Sequence, residues 1–224
     1  MDISRHRELF EPYNFNTPVH IIGAGATGSW LALILVKLGI ENITVWDFDK
    51  VEEHNISNQG YSIHDIGELK VEALKQLVHS DTGIEIKTKE EKVVDQRLSG
   101  VVFLMVDTMK SRKEIWENCI KMKSRVKLLV EPRMGVDVGR IYNVNPTDLT
   151  EIEKYENTYY SDDVGEVSAC GNSLSIITSA MTIASWCGRQ LIEFHNGNEL
   201  DNEILFDLKF NNLISSKFKT KTTV

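Results

Sequence analysis

The 224-residue sequence predicts an α/β fold, a doubly wound and mainly parallel sheet of Rossmann-like type with helices on both faces. Three observations predict it. Short apolar runs alternate with helix-length stretches from Val19 to Val130. One of those runs, Val101 to Val106, is apolar throughout, as a central parallel strand covered on both faces must be. Val19 to Ile22 leads into Gly23, Gly25 and Gly28, spaced G-x-G-x-x-G, and a helix-length run then reaches Gly39.

Taken in order, Met1 to Asn16 is a charged lead-in with Arg5 and Arg7, and residues 1–17 read as a solvated arm. Val19 to Ile22 is a buried strand. Gly23 permits the tight turn out of it, Gly25 lets backbone approach a phosphate, and Gly28 lets the helix pack close to the sheet. Thr27 to Leu38 is that helix, and Gly39 stops it. Its N-terminus presents unpaired N–H groups to an anion. Ile43 to Trp46 is a second strand ending in Asp47 and Asp49. Asp47 lies about 20 positions after the glycines, where an acid accepts hydrogen bonds from ribose hydroxyls. Asp49 to Asp65 is loop-like. Glu68 to His79 is an amphipathic helix, and Ile84 to Thr88 a short edge strand.

Val101 to Val106 ends in Asp107, a polar helix runs from Met109 to Met122, and Lys127 to Val130 is closed by Glu131-Pro132. In open α/β sheets ligands sit beyond the carboxyl ends of the strands, so one crevice should collect Gly23, Asp47, Asp107 and Glu131. Val136 to Asn143 reads as an additional strand. Pro146 to Ser168 is acidic, tyrosine-bearing and loop-like, so 145–170 is expected to be a mobile crossover connection. Gly171 to Phe194 is the longest helix, Ile204 to Phe210 a closing strand, and Lys217 to Val224 a frayed basic tail. The length suits one domain spanning 1–224.

Composition narrows the function. Lys and Arg number 25 against 33 Asp and Glu, a net charge of −8 that disfavours nucleic acid as a partner. Cys119, Cys170 and Cys187 form no C-x-x-C pair, so neither a disulfide framework nor a four-cysteine zinc site is expected, which suits a reducing cytoplasm. Cys119 and Cys187 fall within helices as packing residues. The N-terminus lacks the apolar core of a signal peptide. Leu174 to Cys187 is the most apolar helix candidate, but it is interrupted by Ser and Thr and too short for a bilayer. A cytoplasmic protein with no membrane association is expected.

Asp47 to Gln59 reads DFDKVEEHNISNQ. Here the sequence resembles the ThiF/MoeB/ubiquitin-activating (E1-like) superfamily, whose signature is D-x-D-x-V-x-x-x-N-x-x-R-Q. The resemblance runs from about Pro18 to Pro146 and, more loosely, through the helix after Gly171. It implies an ATP-dependent adenylyltransferase acting on the C-terminal carboxylate of a ubiquitin-like or sulfur-carrier protein ending in Gly-Gly, and a homodimer. Lys70 in IGELKVEAL matches the phosphate-contacting lysine, and Asp107 and Arg112 in VDTMKSR match the magnesium aspartate and the helix arginine after it. Asn55 would contact phosphates or ribose and Gln59 would position the loop. The implied nucleotide contacts are then Gly23, Gly25, Gly28, Asp47, Asp49, Asn55, Asn58, Gln59 and Lys70.

The chemistry suits those residue types. Acyl adenylation needs two reactants held together and charge on the phosphates neutralised. A lysine supplies a point charge, and a carboxylate holds Mg²⁺. Three departures stand out. Asn58 replaces the family arginine and brings no charge, so some transition-state stabilisation must come from elsewhere or be lost; the resemblance, in which members bring an N-terminal arginine across a homodimer, implies Arg5 or Arg7 as a source. The zinc cysteines of many members are absent, so no zinc is expected. Cys170, in VSACGNS, matches the family's thioester or persulfide cysteine by region and not by motif. A following helix favours its thiolate, whereas Asp162, Asp163 and Glu166 oppose it. The rival reading is a catalytically weakened nucleotide- or partner-binding module, favoured by Asn58. An NAD-dependent oxidoreductase would leave Asn55, Gln59, Lys70 and Asp107 without a role.

Overall fold

The computed structural model describes residues 1–162 and 175–218. Within these, one eight-stranded sheet runs in the order β3-β2-β1-β4-β5-β6-β7-β8. The parallel half comprises β1 (Val19–Ile22), β2 (Ile43–Trp46), β3 (Lys87–Lys89), β4 (Gly100–Leu104) and β5 (Val126–Met134). The antiparallel half adds β6 (Val138–Val144), β7 (Glu203–Asp207) and β8 (Asn212–Ser216) to β5. The strand order steps outward from β1 in both directions, which is the topological switch that opens a crevice above the strand ends.

Alternate residues along the central strands feed two cores. Val19, Ile21, Val101 and Phe103 face α1 (Ala26–Lys37), α2 (Lys70–Thr82) and α5 (Ile177–His195). Ile22, Val102 and Leu104 face α3 (Met109–Ile115), the single wide turn Trp116–Ile120 and α4 (Leu149–Glu156). Gly188 brings α5 onto α1, since a Cβ there would lie 3.1 Å from Ile34. Among the described residues no helix is long and apolar enough to cross a membrane.

The structure corrects several sequence expectations. The N-terminal arm is not solvated: Ile3, Phe10, Pro12 and Phe15 are buried, and His195 lies edge-on to both phenylalanines. Charged neighbours mask this anchoring in the sequence. β5 continues through Glu131-Pro132, because beyond Val130 it has passed the end of β4 and the missing proline N–H costs no bond on that side. Residues 146–168 are not all loop. Asp148 caps α4 by accepting hydrogen bonds from Thr150 and Glu151 N–H, and Ile152 and Tyr155 turn inward. The polar helix expected to reach Met122 stops at Ile115 and gives way to the wide turn. The closing strand is a hairpin, β7–β8, and β8 is exposed along its length.

Candidate functional site

A cleft of about 660 Å³ opens above the carboxyl ends of β1, β2 and β4. Its size suits a nucleotide-sized ligand. One wall is the glycine loop with the segment from Asp47 to Lys70; the other is Asp107 with the start of α3.

The three glycines do different work. Gly23 has φ +100°, and a Cβ there would come within 2.6 Å of the Met105 carbonyl oxygen. At Gly28 a Cβ would meet the Gly23 carbonyl oxygen at 1.9 Å. Both positions therefore shape the loop. A Cβ on Gly25 would meet no atom within 4 Å, so this glycine keeps space open at the cleft. No side chain caps α1 at Gly25, and its first N–H groups stand as anion donors.

Asp47 anchors the loop. Its carboxylate accepts the Ala24 N–H at 2.7 Å and the Asp49 N–H at 2.8 Å. Burial raises its pKa, and those two N–H groups and Lys70 oppose the rise. Both oxygens keep further lone pairs for ligand hydroxyls. Lys70, at the start of α2, is 7% exposed, and its Nζ lies 3.1 Å from the more open Asp49 carboxylate. The Lys70 N–H also bonds the Asp49 carbonyl at 2.9 Å, so the two are tied twice.

Asn55 is buried, and its Oδ1 takes the Glu52 N–H at 2.9 Å, which leaves Nδ2 for a ligand. Asn58 donates its amide to Ser175 Oγ, while the buried Asn58 Oδ1 and Gln59 Oε1 have no partner among the described residues. Unpaired buried oxygens at a cleft wall are what a ligand donor would satisfy. Ile22, Trp46, Val93 and Met105 add apolar lining, and Phe48 projects 56% exposed. Sequence reasoning missed Phe48, Val93 and Ser175. The placement of Phe48 between two site acids was the available signal.

Asp107 is exposed at the opposite wall. Arg112, also at the cleft, is held from behind: its Nη1 donates to Glu131 at 2.9 Å and to the Pro132 carbonyl at 2.9 Å. Glu131 does not reach the crevice, contrary to the sequence expectation. It is fully buried and also accepts from Arg133 Nε at 2.6 Å and from the Tyr155 hydroxyl. Two guanidinium groups thus share one carboxylate behind the cleft wall. Cys170 lies outside the described residues. Asp162 accepts N–H bonds from Met109 and Lys110 at the start of α3.

The family model described as the ThiF family matches residues 14–223. The chain belongs to the ThiF family. The NEDD8-activating enzyme E1 catalytic subunit of Arabidopsis thaliana is 30% identical over 102 residues, 42% of this chain and 22% of that protein. Ubiquitin-like modifier-activating enzyme 5 of Caenorhabditis elegans is 34% identical over 70 residues, 31% of this chain and 17% of that protein. The chain thus spans about a fifth of the length of these relatives. Among solved structures, PaaA superposes with a TM-score of 0.72 at 19% identity, over 98% of this chain and 70% of that one. E. coli MccB with MccA gives 0.72 at 15% identity, over 93% and 66%. The ThiF fold is therefore shared across nearly the whole chain. Against the ThiF signature, the structure brings Gly25, Asp47, Asp49, Asn55, Asn58, Gln59, Lys70 and Asp107 to one cleft.

Proposed function

We propose that this ThiF-family chain is an ATP- and Mg²⁺-dependent adenylyltransferase that activates the C-terminal carboxylate of a small ubiquitin-like or sulfur-carrier protein ending in Gly-Gly. The observation that carries this reading is the convergence of the open Gly25, the Asp47 anchor, Lys70 and Asp107 on one cleft. The free N–H groups at α1 and the Lys70 ammonium hold phosphate oxygens, and Asp47 takes ribose hydroxyls. Lys70 exchanges its Asp49 partner for phosphate. The apolar lining with Phe48 receives the base. Asp107 would hold Mg²⁺, which would supply neutralisation of the phosphate charge. Among the described residues no cluster of three His, Cys, Asp or Glu side chains forms, so Asp107 would be the protein's contribution to holding the ion beside the phosphates. Relatives named as modifier-activating enzymes, and an MccB structure described with ATP, support the assignment.

The reading includes a homodimer. The arm packs at Gly39, the far end of α1 from Gly25, and a 12-residue helix puts about 18 Å between them. The reading assigns Arg5 or Arg7, the latter paired with Glu11 within its own arm, to the cleft of a partner copy. A second reading, a nucleotide- or partner-binding module with little turnover, is favoured by one observation: Asn58 brings no charge and spends its amide on Ser175. Carboxylate-dependent exchange of pyrophosphate into ATP separates the two. The wild type should exchange in the presence of its carrier, and Lys70→Ala should fall by about 10²-fold or more, as for loss of a preorganised charge. Tight carrier binding with no exchange would leave the module.

A further inference from the structure

Tyr61, Ser29 and Trp30, none of them among the signature's contacts, brace the glycine loop. The Tyr61 hydroxyl donates to the Ala24 carbonyl at 2.7 Å, and Tyr61 is 6% exposed. Ala24 gives its N–H to Asp47 at 2.7 Å. One loop residue is thus held on both its amide and its carbonyl. Next to it, Ser29 Oγ donates to the Gly25 carbonyl at 2.7 Å and accepts the Gly60 N–H at 3.0 Å. Trp30 Nε1 closes the brace on the Asn58 carbonyl at 3.0 Å. Burial, with Asp47, Asp65 and Asp49 nearby, raises the Tyr61 pKa, so the hydroxyl stays a donor.

We propose that Tyr61, with Ser29 as its second, is a positioning residue for phosphate recognition. The physical reason is the direction of the peptide dipoles. A carbonyl turned toward the cleft would oppose phosphate oxygens, and an N–H turned toward it attracts them. Tying the Ala24 and Gly25 carbonyls to hydroxyls behind the loop keeps only N–H groups facing the ligand. The brace acts mainly on phosphate, because Asp47 keeps a second anchor in the Asp49 N–H at 2.8 Å and the ribose contact depends on Ala24 less. This proposal rests on the nucleotide reading above.

The test is calorimetry of the full-length chain with ATP, and with adenosine by competition. Tyr61→Phe keeps the buried ring and removes only the hydroxyl. It should bind ATP roughly 5- to 10-fold more weakly, the size of one lost hydrogen bond beside an anion, and adenosine within about twofold of wild type. Ser29→Ala should show the same pattern more weakly, because the Ser29 N–H still bonds the Gly25 carbonyl at 3.0 Å. It serves as the second variant if Tyr61→Phe does not fold. Equal losses for ATP and adenosine, or no loss for ATP, would overturn the positioning role while wild-type binding keeps the nucleotide reading. A wild type that binds no ATP would overturn both.

Discussion

The two walls of the cleft are held in place by opposite means. The glycine-loop wall is fixed by short backbone contacts: Ala24 to Asp47 and Tyr61, Gly25 to Ser29, Lys70 to Asp49. These give the ligand a preformed row of donors. The Asp107 wall is fixed from behind by a buried ion cluster, with Glu131 tying Arg112, Arg133 and Tyr155. Arg133 also lies over Tyr142, its guanidinium 4.5 Å from the ring centre, and near Tyr155, Tyr159 and Tyr160. The first wall is organised for binding. The second presents an exposed carboxylate and keeps its own order deep in the fold, so stability and ligand recognition separate along this line.

The largest effect on folding should come from the second wall. Glu131→Ala leaves two guanidinium groups buried without their counter-charge and should cost about 3–5 kcal/mol, the usual result of breaking a buried pair. Chemical unfolding would measure it. A loss under 1 kcal/mol would mean that the cluster does not hold the wall.

The glycine loop sharpens the comparison within one wall. Gly28→Ala would bring a Cβ within 1.9 Å of the Gly23 carbonyl oxygen and should cost about 1–3 kcal/mol as overpacking does. Gly25→Ala meets no protein atom within 4 Å, so stability should stay within about 1 kcal/mol of wild type. Its methyl group occupies ligand space, and ATP affinity should fall about tenfold or more, the effect of about 1.4 kcal/mol. Melting curves and titrations of both variants would show whether fold and binding part at these positions. Equal behaviour of the two would show that they do not.

The difference between the walls also explains what the sequence disclosed. The first wall is written in one stretch of sequence, so spacing marks the strand, the glycines and Asp47, and the family resemblance adds Asn55, Gln59 and Lys70. The second depends on partners 19 and 24 positions apart that meet only when α3 and α4 pack on β5. Glu131 therefore looked like a crevice acid when it is a buried tie. The buried arm escaped because Arg5, Arg7 and Glu11 dominate its composition while Ile3, Phe10 and Phe15 do the packing. α4 carried a legible signal in Asp148 and Glu151, overridden by the acidic, loop-like character around it. β8 has no buried face, and no periodicity marks a strand that packs on nothing.

A smaller effect concerns Asp47. Its folded pKa is raised, so folding favours the protonated form. The resulting stability is present at low pH and is lost as pH rises from the ordinary carboxyl value of 3.8 through the higher folded value. Asp47→Asn cannot titrate there. The stability of the variant relative to wild type should therefore rise with pH across that window. A difference flat with pH would contradict the buried placement of this carboxylate.

The division of labour between the walls is tested most directly by titrating ATP with and without Mg²⁺ into wild type, Lys70→Ala and Asp107→Ala. ATP should bind wild type, and Mg²⁺ should tighten that binding. Lys70→Ala should weaken ATP whether or not the metal is present, while keeping the magnesium effect. Asp107→Ala should fold normally, since no packing depends on this exposed side chain, and should bind ATP alone as wild type does while losing the gain from Mg²⁺. An undiminished magnesium effect in Asp107→Ala, or no ATP binding by the wild type, would contradict the account.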